Sequence, residues 1–205
     1  MLSTIHDEMF NRNYRYLMSN PAEYDPEMET SSKRCIALVA QGPLKISNTS
    51  IFKFYEKYSE YAVMPNLHHT FLILRGWKLE HPPEDFTQIK DELVKYSVVF
   101  NRLVPTKTGC ALVGTPSCDI NSIRDNIRKL GYSQDAPYKL DICHLTLFRW
   151  IKPVPRNIQT EFLNELSNFP IQGYLKLDVT QFQVTKASLT MRPKDITTLA
   201  TFTYN

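Results

Sequence analysis

Apolar residues recur along this chain in two rhythms, strand-length runs and helical stripes, and the two alternate. Cys35–Ala40 (CIALVA) is a continuous apolar run of strand length, ended by Gly42–Pro43. Ile51, Phe54, Tyr55, Tyr58 and Ala62 follow at helical spacing, with Asn48, Thr49 or Ser50 available as a cap and Pro65 as a stop. Leu67–Leu74 (LHHTFLIL) reads as a second strand. Beyond Pro82–Pro83, the residues Phe86, Ile89, Leu93, Tyr96, Phe100 and Leu103 share one helical face and predict a long helix at about Glu84–Leu103.

The series then recurs. Cys110–Gly114 is a strand, Asp119 caps a helix carrying Ile120, Ile123, Ile127 and Leu130, Gly131 closes it, and Cys143–Trp150 is a strand. Cys35 lies 33 residues before His68 and Cys110 lies 34 before His144, so one supersecondary unit is present twice. A helix at about Asn157–Phe169 and strands at Tyr174–Thr180, Thr185–Met191 and Leu199–Tyr204 complete the pattern. The expected fold class is α+β: two pseudo-symmetric lobes, each a small, mostly antiparallel sheet with flanking helices, around a central cleft. Residues 1–34 read as an N-terminal extension, with a short helix over Thr4–Leu17 and a loop over Asn20–Lys33. Residues 35–205 read as a single two-lobed domain.

Composition narrows the class. With 42% apolar residues the chain can bury a substantial core, and a net charge of +3 is too weak for a strongly electrostatic nucleic-acid binder. The apolar runs are far short of a membrane span, and no apolar segment follows a basic start as in a secretory signal. Four cysteines occur without a Cys-x-x-Cys pair, as expected of buried thiols. A cytoplasmic or nuclear protein that is not secreted and meets no membrane is the expectation.

The chemistry centres on two tetrapeptides, His68-His69-Thr70-Phe71 and His144-Leu145-Thr146-Leu147, both of the form His-x-Thr-apolar. Residues two apart on a strand share a face, so each motif projects an imidazole and a hydroxyl side by side. If the two units pair about an approximate two-fold axis, the motifs face each other across a cleft. Cleavage of a phosphodiester needs a base for the attacking oxygen and an acid for the leaving oxygen. Two histidines supply both near neutral pH. Thr70 and Thr146 can donate to the non-bridging oxygens, where charge grows in the transition state. A chance pair of such motifs at these residue frequencies has a probability on the order of 0.01. His69 has the opposite strand parity and belongs to the layer behind the sheet. His6 and His81 read as solvated, without a role.

No metal and no cofactor is called for. His-x-x-x-His and Cys-x-x-Cys spacings do not occur, and the six glycines form no phosphate-binding loop. Phe148 shares strand parity with His144 and could stack on a base. Arg149 and Trp150, with Arg75 and Trp77, lie at strand ends beside the expected cleft and are further substrate-binding candidates.

The paired His-x-Thr strands resemble the 2H phosphoesterases, a family that includes RNA ligase/cyclic phosphodiesterase-like enzymes. The resemblance covers about Cys35 to Tyr204, and the two tetrapeptides are its specific part. It implies a two-lobed fold, a metal-independent site and 2′,3′-cyclic or 2′,5′-linked phosphates of RNA, oligonucleotides or cyclic nucleotides as substrates. His68 and His144 become the acid/base pair of a phosphoric diester hydrolase, and Thr70 and Thr146 its phosphate ligands. The N-terminal extension, His69 and the helix at about Glu84–Leu103 depart from the family pattern and bear on substrate more than on chemistry. The alternatives are a non-catalytic nucleotide- or RNA-binding module and a protein-interaction domain of the same fold.

Overall fold

Alternation within the strands sorts their side chains to two faces, and the burial follows it. The computed structural model describes residues 2–26, 35–75, 85–132, 141–170, 175–188 and 196–204. In order these form α1 (Leu2–Ser19), β1 (Cys35–Gln41), β2 (Leu44–Ile46), α2 (Ser50–Glu56), β3 (Ala62–Val63), β4 (His69–Arg75), α3 (Thr87–Lys90), β5 (Tyr96–Thr106), β6 (Gly109–Pro116), α4 (Ile120–Lys129), β7 (Cys143–Trp150), α5 (Arg156–Ser167), β8 (Leu175–Val179), β9 (Gln181–Ala187) and β10 (Thr197–Thr203). A four-stranded sheet runs β10-β9-β1-β4, and a six-stranded sheet runs β2-β8-β5-β6-β7-β3. Every pairing is antiparallel. The fold is α+β with two antiparallel sheets.

The two copies of the repeated unit fall in different sheets. β1 pairs β4 in the smaller sheet, and β6 pairs β7 in the larger. Between β1 and β4 the chain visits both edges of the other sheet, as β2 and β3. The lobes are thereby laced together.

The predicted helix at about Glu84–Leu103 is replaced by one short helical turn, α3, and the long strand β5. Tyr96, Val98 and Phe100 are buried at a strand period of two. A register shift between Phe100 and Arg102 then inserts a residue, so that Leu103 is buried as well. Spacings of four and three thus arise from strand steps plus a bulge, and they imitate a helical stripe. The β-branched Val98, Val99 and Val104 favour the strand. The strand expected at Thr185–Met191 begins earlier, as β9 from Gln181 to Ala187, and residues 189–191 lie outside the described residues.

The N-terminal helix is docked on the body rather than appended to it. Leu17 is fully buried, and Asn13 Nδ2 donates to the Pro105 carbonyl at 2.8 Å. Gln159 of α5, itself buried, donates from Nε2 to the carbonyls of Leu17 (2.5 Å) and Asn20 (2.8 Å) and accepts from the Ala22 N–H (2.8 Å). Arg102 of β5 forms an ion pair with Asp7 and lies 5.0 Å from the Phe10 ring centroid. His6, expected in solvent, is buried on this helix beside Arg102. On the other face of the larger sheet, α2 and α5 enclose an aromatic core of Phe54, Tyr58, Phe148, Trp150 and Phe162.

Candidate active site

The two sheets meet along β4 and β7, and again where β1 passes β8. Thr70 of β4, the edge strand of the smaller sheet, pairs with Val39, and Thr146 of β7, next to the edge of the larger one, pairs with Ala111. His144 and Thr146 are half-buried between the buried Cys143, Leu145 and Leu147, as the strand period requires. His68 and Thr70 are half-buried, while His69 between them is fully buried against the rings of Tyr96 and Phe100. His69 therefore faces the layer behind the sheet, as its parity predicts.

Phe148 and Trp150 do not face the site. Both are fully buried, with ring centroids 4.9 Å apart, in the aromatic core. The cause is a bulge. Cys110 pairs with Phe148 but Ala111 pairs with Thr146, which leaves Leu147 as an extra residue and inverts the strand parity beyond it. Arg149, not Phe148, then shares the face of His144. It lines, with His144, Thr146 and Thr108, a cavity of about 700 Å³. Arg149 Nη1 donates to Thr108 Oγ1 at 3.2 Å. Gly109, at φ 153°, lets the β5–β6 hairpin press against β7 here; a Cβ at that position would lie 2.1 Å from the Phe148 carbonyl oxygen.

The far wall of this cavity is α1, through Glu8, Met9 and Arg12. A second cavity, of about 500 Å³, holds His68, Asn66, Gln41 and Gln181. Each histidine thus borders its own cavity. The side chain of Arg75 and all of Trp77 and His81 lie outside the described residues.

The charge of Arg149 acts on both imidazoles, and that of His68 acts on His144. Burial lowers the His68 pKa, the hydrogen bond to Asn66 opposes it, and Arg149 adds to the lowering. Burial, followed by the charges of His68, Arg149 and Arg124, holds His144 at about 4. His68 Nδ1 lies 2.7 Å from the Asn66 carbonyl oxygen. A carbonyl only accepts, so Nδ1 carries the proton and Nε2 is the free nitrogen of the neutral ring. His144 Nδ1 is buried with no hydrogen-bond partner among the described residues.

Arg124 is not legible in the sequence as a site residue. It is fully buried, on the same face of α4 as Ile120 and Ile127. Its Nε donates to the Phe71 carbonyl at 2.7 Å, Nη2 to the Ile142 carbonyl at 3.0 Å and Nη1 to Asn121 Oδ1 at 2.8 Å. One guanidinium thus ties β4, next to Thr70, to the residue that leads into β7. A cation within the apolar stripe of α4 is the available sequence signal.

Among the described residues no three His, Cys, Asp or Glu side chains gather as a metal-binding group, and no helix is long and apolar enough to cross a membrane. All four cysteines are free thiols.

No family model and no curated protein matches the sequence. The chain is similar to the solved structure of TT0787 from Thermus thermophilus, with a TM-score of 0.46 and 17% identity over 82% of this chain and 97% of that one. It is also similar to E. coli LigT, solved in complex with NADP+, with a TM-score of 0.44 and 14% identity over 85% of this chain and 99% of that one.

Proposed function

We propose that this protein is a phosphodiesterase of the 2H type, acting on 2′,3′-cyclic or 2′,5′-linked phosphodiesters of RNA or oligonucleotides. The observation that carries the reading is the pair of His-x-Thr strands, one from each sheet, meeting where the sheets meet, with both imidazoles within electrostatic reach of Arg149. His144 serves as the base and His68 as the acid. The Asn66 carbonyl accepts from His68 Nδ1 and favours its protonated form, while no such acceptor serves His144 among the described residues. His144 removes the proton of the attacking water as its oxygen bonds to phosphorus. The bond from phosphorus to the leaving ribose oxygen breaks as His68 protonates that oxygen. Thr70, Thr146 and Arg149 donate to the non-bridging oxygens as they gain charge. These groups account for both proton transfers without a metal.

The test is turnover of 2′,3′-cyclic nucleotides and of 2′,5′- and 3′,5′-linked dinucleotides in the presence of EDTA. Replacing His68 or His144 by Ala is expected to lower the rate by about 10²–10⁴, and the double variant to be little worse than the poorer single one. Thr70→Val and Thr146→Val are expected to cost at most about 2.7–4 kcal/mol each in the barrier. Full loss of activity in EDTA with recovery on adding zinc or manganese would refute the mechanism. Binding without turnover of any of these substrates would favour a non-catalytic nucleotide-binding module.

A further inference from the structure

The face of the smaller sheet that carries Thr70 holds a small apolar cluster of Ala37, Val39 and Ala187 toward one end and, toward His68, neutral amides and hydroxyls that the catalytic proposal leaves unused. In register across that sheet run Thr70, Val39, Gln183 and Thr201. The next row on the same face is Gln41, Gln181 and Thr203, and His68 stands opposite Gln41 when the β1–β4 register is continued by one residue. The core residues Phe182, Val184 and Phe202 point the other way. The amides are fixed to one another and to the last strand. Gln41 Nε2 donates to Gln183 Oε1 at 2.9 Å, and Gln181 Nε2 donates to Thr203 Oγ1 at 3.3 Å. Each glutamine has two N–H donors and a carbonyl with two lone pairs, so these bonds leave both a donor and an acceptor on the face.

We propose that this face is a subsite for the heterocyclic base of a nucleoside whose phosphate lies between His68 and His144; the proposal rests on the phosphodiesterase reading and names which side of the site holds the base. Three observations point to a base rather than to a second phosphate. No Asp, Glu, Lys or Arg is among the described residues that line the His68 cavity, whereas Glu8, Arg12, Asp141 and Arg149 line the His144 cavity. A carboxamide presents a donor and an acceptor side by side, which matches the edge of a base. Leu44, Leu177 and Ile196 offer apolar surface for the ring faces, and about 500 Å³ is ample for one nucleoside. Along that row Gln181 stands two strands, about 10 Å, from His68, within the span of a ribose and its base. The two cavities then give the substrate a direction: base toward the amides, phosphate and its continuation toward Arg149 and α1.

The experiment needs no turnover. The 15N-labelled protein is titrated separately with the four common ribonucleosides and with inorganic phosphate, and the side-chain resonances are followed. At least one nucleoside is expected to move the amide signals of Gln41, Gln181 and Gln183, while phosphate moves Arg149 and leaves the glutamines in place. Gln181→Leu and the isosteric Gln181→Glu are expected to weaken that nucleoside by about tenfold, and Arg149→Met to leave it unchanged. The subsite is refuted if no nucleoside moves the glutamines, or if affinity is the same in the Gln181 variants. Glutamines that respond in a protein without phosphodiesterase activity would refute the catalytic reading and leave the subsite standing.

Discussion

Phe148 and Arg149 are neighbours on one strand, and a single extra residue decides which of them faces the His144 cavity. Counting in twos from His144 selects Phe148, and the bulge at Leu147 selects Arg149 instead. The two side chains therefore predict opposite phenotypes. Phe148→Ala opens a cavity in the aromatic core and is expected to lower stability by about 3–5 kcal/mol, read by chemical denaturation, with KM unchanged in the folded fraction. Arg149→Met is expected to leave the denaturation midpoint nearly unchanged and to raise KM or lower kcat by about tenfold or more, as removal of a charge-assisted bond to phosphate does. His69 belongs with Phe148. It is buried and uncharged, its pKa driven well below the ordinary value by burial and by Arg124. His69→Ala is expected to reduce stability more than the rate of the protein that remains folded, which parallel thermal melts and single-turnover assays separate.

The repeated element, a strand followed through a helix by an antiparallel strand, is what brings two like motifs to one place. Its periodicity is explicit in the sequence because each copy alternates or repeats cleanly. β5 reads as a helix because a bulge turns strand spacing into helical spacing, and α1 reads as an appendage because its burial is set by surfaces far along the chain. Arg124 of α4 is the element-level link between the motifs. Three hydrogen bonds from one buried cation hold the Phe71 and Ile142 carbonyls at fixed separation, through Asn121 on its own helix. Arg124→Met leaves two buried carbonyls without that donor and is expected to cost several kcal/mol of stability, at about 1–3 kcal/mol for each unsatisfied group. Arg124→Lys keeps the charge but not the fork. It is expected to leave the His144 pKa low, since burial is its main cause, and yet to lower kcat, which an imidazole titration by NMR beside the rate assay distinguishes.

For the whole molecule, the buried histidines couple folding to pH. In the unfolded chain His144 takes up a proton near pH 6.5, and in the native state only at about 4. Between those values the unfolded state binds more protons, so stability is full above about pH 6.5 and falls as pH drops toward 4. His144 alone contributes about 3 kcal/mol to that fall. Denaturant unfolding at pH 7 and at about pH 4.5 is expected to show the loss, and His144→Gln to flatten it. On the proposed mechanism the same shifts set the pH dependence of the rate. With both imidazole pKa values lowered in the free protein, the form with one protonated and one neutral ring is most populated below pH 6.5. kcat/KM is expected to be bell-shaped with its maximum there, and the kcat maximum to lie at higher pH, because a bound phosphate raises both values.

Local patterns along the chain suffice for the α+β alternation, the duplicated unit, the Asp119-capped helix and the alternation that sets His144 with Thr146 and buries His69, whereas His68 lies one residue before β4. Those follow from period and capping, which act over a few residues. Contacts distant in the chain make β5 a strand, bulge Leu147 so that Arg149 takes the place of Phe148, set α1 against the His144 cavity and join the two motifs through Arg124. Each of these depends on a partner many residues away. Asn13 meets Pro105 and Arg124 meets Phe71, and neither end of such a contact carries a local mark of the other. A bulge, likewise, is fixed by the register of the neighbouring strand, which no window along one strand contains.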